Sequence, residues 1–149
     1  MLQIKVKKLY PDALLPTKSH DKDTGWDIYA IEDGEIIYTN TDGKPLYIEY
    51  NTGLSIQPPE GYDIKIFTRS SVSNFCLVLA NSVGIADETY SGPYKLRFRI
   101  THDMPCRIYR KGDKIGQLVL QKREDAEIVE VNELSQTDRG SSGFGSTGK

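Results

Sequence analysis

An all-β fold is what this 149-residue sequence predicts, and three observations predict it. Apolar residues alternate with polar ones at the period of a strand through most of the chain. Turn-forming clusters punctuate those runs, as in Thr41-Asp42-Gly43-Lys44, Pro58-Pro59-Glu60-Gly61 and Lys111-Gly112-Asp113-Lys114. No window of ten residues carries a convincing helical period. Many short strands with regular turns point to a sandwich, a jelly roll or a barrel.

Taken in order, Leu2, Ile4 and Val6 alternate with Gln3, Lys5 and Lys7 as a first strand. Residues 31–50 read as a long hairpin around Thr39-Asn40-Thr41-Asp42-Gly43, and Leu46, Ile48 and Tyr50 alternate on its return. Ile64 and Ile66 alternate with Asp63 and Lys65 just before Thr68-Arg69-Ser70-Ser71, where Ser70 can cap one short helix. Residues 76–80 form an apolar strand, opened by a buried Cys76. Tyr94, Leu96, Phe98 and Ile100 alternate with Lys95, Arg97 and Arg99 in another, and a Gly-bounded connection joins the two as a hairpin. Leu118-Val119-Leu120 and Ile128-Val129-Glu130-Val131 supply the last two strands. Residues 1–136 make one β domain, and the Gly/Ser-rich 137–149 form a flexible arm.

Composition narrows the function. A net charge of -2 and a pI near 5.7 argue against a dedicated nucleic-acid binder. No apolar run approaches the roughly 20 residues that span a bilayer, and Met1 to Lys8 alternate without a signal-peptide core, so a soluble cytoplasmic protein with no membrane partner is expected. Cys76 and Cys106 do not make a disulfide framework, and His20 and His102 read as surface histidines. Residues 143–149 spell G-x-x-x-x-G-K, but no Ser or Thr follows the lysine and no helix follows the loop, so a phosphate-binding P-loop is rejected.

The chemistry concentrates in the connection between residues 80 and 94. Asp87 stands on a rigid β connection, where a carboxylate is placed before substrate arrives and can act as a general base. Tyr90, three residues on, offers a flat wall to a sugar or base. In the arm, glycines free backbone N–H groups for phosphate oxygens, Arg139 can neutralise charge and Phe144 can stack on a ring. Without further context Asp87 reads as a turn residue, Tyr90 as packing and Arg69 as a surface charge.

Five ordered segments change that weighting. They are Asp23-Thr24-Gly25-Trp26-Asp27-Ile28-Tyr29-Ala30, Thr68-Arg69-Ser70-Ser71, Gly84-Ile85-Ala86-Asp87-Glu88-Thr89-Tyr90-Ser91-Gly92, Gly112-Asp113-Lys114-Ile115-Gly116-Gln117-Leu118 and Arg139-Gly140-Ser141-Ser142-Gly143-Phe144-Gly145. Each is weak alone, and together, in this order, they resemble the homotrimeric dUTPases over nearly the whole chain. The resemblance implies a distorted jelly-roll-like β-barrel subunit in a homotrimer that hydrolyses dUTP to dUMP and pyrophosphate with Mg²⁺. It implies Asp87 as the base for the attacking water and Tyr90 as the platform under the deoxyribose. Asn81, Gly84, Ile85 and Ala86 then read the uracil edge, with the backbone near Lys95 beside the nucleoside. Arg69, Ser70 and Ser71 bind phosphate from a neighbouring subunit, and Gln117 makes a polar contact nearby. Arg139 clamps the γ-phosphate, while Phe144, with Gly145 and Ser146, closes over the nucleotide. Asp27 acts toward the metal through water, since Mg²⁺ prefers phosphate oxygens and water to a protein cage.

The sequence departs from that family pattern at Trp26, Thr68, Ala86, Thr89 and Gly116, none of which removes a group with a named chemical role. Two rival functions remain. A dCTP deaminase of the same fold needs a glutamate shortly after the third segment, where Pro93-Tyr94-Lys95-Leu96-Arg97-Phe98-Arg99 has no acidic residue. A nucleotide-sensing module without catalysis is opposed by the intact Asp87.

Overall fold

The computed structural model describes residues 1–39, 41–138 and 140–141. Among these residues nine strands run in chain order: β1 (Lys5–Lys8), β2 (Trp26–Tyr29), β3 (Glu35–Tyr38), β4 (Pro45–Gln57), β5 (Tyr62–Phe67), β6 (Leu77–Leu79), β7 (Gly84–Ala86), β8 (Pro93–Ile100) and β9 (Lys114–Lys122). The strands make two antiparallel sheets, one ordered β1-β4-β8-β6 with β3 also on β4, the other ordered β2-β9-β5-β7. Period-two alternation becomes this sandwich because each sheet buries only one face. β8 shows it plainly: Tyr94, Leu96 and Phe98 are buried, while Lys95, Arg97 and Arg99 face solvent. Opposite them, Ile28, Ile64, Ile66, Ile115 and Leu118 line the inner face of the second sheet. Tyr50, Phe98 and Tyr109 pack edge to face at the centre, with ring centroids 5.6–5.9 Å apart.

Several expectations are corrected. The segment after Thr68-Arg69 is a 3₁₀ turn (Ser70–Asn74) that starts from Arg69, with no side-chain cap from Ser70. Cys76 is only partly buried, its N–H donating to the Arg107 carbonyl at 2.8 Å. Residues 128–131 form no strand and Ile128 is fully exposed, and the segment pairs with no strand among the described residues. The hairpin of β6 and β8 is present, with Leu77 opposite Ile100 and Leu79 opposite Phe98. Its connection is not a simple loop: it crosses to the other sheet, where β7 pairs with β5. The 31–50 hairpin also forms, with Ile36 opposite Ile48.

Candidate active site

The strand registers bring the predicted residues together at two places. In the first, Asp27 on β2 lies opposite Gln117 on β9, and Gln117 in turn lies opposite Phe67 at the end of β5. Arg69, two residues past that end, therefore arrives at the Asp27 carboxylate. Asp27 is 3% exposed, and its Oδ1 accepts from Arg69 Nε at 2.9 Å and Gln117 Nε2 at 3.0 Å. Its Oδ2 pairs with Lys114 Nζ at 2.8 Å. Burial works to raise the Asp27 carboxyl, but the hydrogen bonds from Lys114 and Gln117 and the Arg69 charge outweigh it and hold it below its usual value.

Two cations share the Asp27 carboxylate, and Asp113, which also lines the cavity, accepts the Arg110 N–H through its Oδ2 at 2.8 Å. Arg69 and Lys114 are each about a third exposed and, with Ser71, Tyr29, Phe75 and Tyr109, line a cavity of about 320 Å³. Arg69 Nη1 also points to Ser71 Oγ at 3.4 Å, and Ser70 stands exposed at the start of the 3₁₀ turn. The Tyr109 hydroxyl is buried without a partner among the described residues. Such a cradle of fixed donors suits phosphate oxygens.

The second place is the mouth between the sheets on the β6–β7 side. Asn81, Gly84, Lys95, Leu79, Leu96 and Arg97 line a cavity of about 330 Å³. β7 is the edge strand of its sheet, so the backbone of Gly84, Ile85 and Ala86 has one side unpaired by protein. The crossover that precedes it is tightly turned: Ser82 adopts a positive φ of 61°, and the Val83 N–H donates to the Asn81 carbonyl at 2.6 Å. Asp87 follows β7 and is exposed, its carboxylate without a hydrogen-bond partner among the described residues. Tyr90 closes the turn, its N–H donating to the Asp87 carbonyl at 2.9 Å and its hydroxyl to the Pro93 carbonyl at 2.9 Å.

Arg69, Ser71, Gln117 and Asp27 thus meet at one end of β5, and Asn81, Gly84 and Lys95 at a separate cavity. Lys95 lines the second cavity, and its ammonium pairs with Glu49 at 2.6 Å. Arg139, Phe144, Gly145 and Ser146 lie outside the described residues. Lys114 is the residue to which sequence reasoning gave no role, although it stands in the fourth segment just after the Gly112 turn. Trp26 packs away from Asp27, on the opposite face of β2, in an apolar cavity with Ile4, Val6 and Leu120. At Gly116 an added Cβ would meet the Phe67 carbonyl oxygen and Leu96 Cδ2 at 2.9 Å, which accounts for a glycine at this position. No group of three or more potential metal-ligating residues occurs among the described residues.

Fold and site define a class first: a β-sandwich that presents an anion cradle and, on an edge strand, an exposed carboxylate, a build suited to a nucleotide hydrolase. The chain belongs to the dUTPase family, whose model matches residues 12–148. A deoxyuridine 5'-triphosphate nucleotidohydrolase of Helicobacter pylori (strain Shi470) is 35% identical over 149 residues, covering 99% of this chain and 97% of the relative. The Clostridioides difficile protein of that name is also 35% identical, with 99% of each chain covered. Among solved structures, the dUTPase of Staphylococcus bacteriophage 80alpha with dUPNHPP superposes with a TM-score of 0.75 at 26% identity over 99% of both chains. A dUTPase from phage phi11 of S. aureus, described with a structural Mg(II) ion, matches in fold with a TM-score of 0.70 at 23% identity, over 88% of this chain and 97% of that one.

Proposed function

We propose that the protein hydrolyses dUTP to dUMP and pyrophosphate, with Asp87 as the general base for water attacking the α-phosphorus. The observation that carries this reading is the edge strand β7, which borders the cavity at Gly84 and leads directly into Asp87, whose carboxylate has no hydrogen-bond partner among the described residues. Three residues of strand rise span about 10 Å, the length scale of a nucleoside. Main-chain groups along β7 and the Asn81 turn can read a uracil edge and reject cytosine by donor–acceptor mismatch. The closed fit of such a cleft rejects the thymine methyl, and Tyr90 forms the deoxyribose wall.

The phosphate end comes from another copy of the chain. Ala86 pairs with Ile64, so Asp87 lies beside the start of β5, while Arg69 follows its end. Six residues of strand separate the two by about 20 Å. One dUTP cannot engage both within one subunit, which supports sites shared across a homotrimer. Arg69, Ser70, Ser71, Lys114 and Gln117 of one subunit would hold the phosphates over Asp87 of the next, with the arm 137–149 closing the site.

Mg²⁺ enters this reading with the triphosphate, whose oxygens and water supply its ligands, and the charge it carries would hold the phosphates in one conformer. The Asp27 carboxylate does not fit as its direct ligand, since both oxygens already accept from cationic side chains; a role through water is left to the remaining lone pair of Oδ2. Pyrophosphate release from dUTP, dCTP, dTTP and UTP, for wild type and Asp87→Asn, tests the reading. Turnover confined to dUTP and reduced about 10²- to 10⁴-fold in the variant is expected. Ammonia from dCTP would instead establish a deaminase, and tight binding without turnover a sensor.

A further inference from the structure

The Asp87 carboxylate, free of partners among the described residues, takes its position from the turn that carries it. That turn is anchored by its next residue. Glu88 Oε2 accepts the Gly61 N–H at 3.1 Å and Arg123 Nη1 at 2.9 Å. Gly61 and Arg123 are themselves joined, the Arg123 N–H donating to the Gly61 carbonyl at 2.8 Å. Three elements therefore close one ring: the Asp87 turn, the β4–β5 turn and the first residue past the end of β9. Gly61 holds a φ of +76°, a conformation that favours glycine.

We propose that Glu88 is a positioning residue for the hydrolytic reaction, fixing the height of the Asp87 turn above the edge of β7. An exposed ion pair alone would weigh little, and Arg123 is nearly half exposed. Here the same carboxylate oxygen also takes a backbone N–H, and the Glu88 side chain is only a quarter exposed. On the opposite flank the turn is held by the Ser55 hydroxyl, which donates to the Ser91 carbonyl at 2.7 Å, and by the Tyr90 hydroxyl on Pro93. Glu88 is thus the anchor on the flank where Asp87 sits.

This proposal rests on Asp87 being the base, and the test separates the two. Steady-state rates with dUTP are measured for Glu88→Ala, Glu88→Gln, Arg123→Ala and Arg123→Lys, alongside amide hydrogen exchange over residues 86–92 in each. Glu88→Ala is expected to lower kcat about 10-fold or more, approaching the ~10²-fold cost of a misplaced group, with KM nearly unchanged and exchange accelerated. Glu88→Gln, which keeps an acceptor for Gly61, and Arg123→Lys, which keeps the charge, are expected to retain most of the rate that the alanines lose. Unchanged kcat and unchanged exchange in Glu88→Ala would overturn the proposal, as would a loss shared equally between kcat and the melting temperature without faster exchange in the turn. Should wild type release no pyrophosphate, the assigned function fails; exchange still decides the anchor, faster exchange supporting it and equal exchange overturning it.

Discussion

Asp27 shows at the scale of single residues how one buried carboxylate can organise a binding surface. Truncating it to alanine leaves Arg69 and Lys114 facing each other without their shared anion. We expect Asp27→Ala to cost about 2 kcal/mol in urea unfolding, below the value for a fully buried pair because both cations are partly hydrated. The pH dependence follows from the direction of the shift. Its folded carboxyl lies below the ordinary value of 3.8, so the stabilisation is complete above the unfolded pKa and is lost as pH falls through the lower, folded one. The stability gap between wild type and Asp27→Asn should be flat from neutral pH to about pH 5 and shrink below about pH 4. Glu49, held low against burial by Lys95 and Arg97, titrates in the same direction in both proteins and cancels from the difference. A gap that widens on acidification contradicts the network. Gly116→Ala offers a second check: its Cβ would press on the Phe67 carbonyl, and a loss of about 1–3 kcal/mol is expected from overpacking.

Elements divide into those that the sequence made legible and those that it did not, and the reason is physical. β8 was readable because alternation, once folded, finds a sheet and a core on the same side. The alternation of Ile128-Val129-Glu130-Val131 is of the same kind, yet these residues lie exposed with Val131 and Leu134. Alternation says that a face needs cover, and it does not say which chain supplies it. The crossover of β7 to the second sheet was hidden too, since Gly84-Ile85-Ala86 is too short for any period and its pairing with β5 is long-range. Lys114 went without a role because nothing local shows that β2 and β9 will stand side by side. Asp87 and Tyr90 stand out as candidates through their spacing within the third segment and the family resemblance, not through periodicity. The β3–β4 hairpin carries neither cluster of site residues. Replacing residues 39–44 with a two-residue Asn-Gly turn should therefore leave kcat/KM within about twofold. A large fall would give that hairpin a part in catalysis.

On the proposed reading, the molecule would gain its activity only as an assembly. A single chain places its anion cradle and its carboxylate at opposite ends of β5, each without the partner that its chemistry requires. Three copies would have a mass of three times 16.8 kDa, about 50 kDa, which sedimentation can read directly. Assembly would also offer a surface to cover the exposed Ile128 and Leu134, and thermal stability should then rise with protein concentration. The most direct test of the shared site is complementation between Arg69→Ala and Asp87→Asn, each inactive alone, after co-refolding in equal amounts. Random trimers in which one subunit supplies the cradle and its neighbour the base should recover roughly a quarter of wild-type turnover. Mixed trimers that form but stay as inactive as either parent would show that both residues serve the same subunit's site, and would contradict the account.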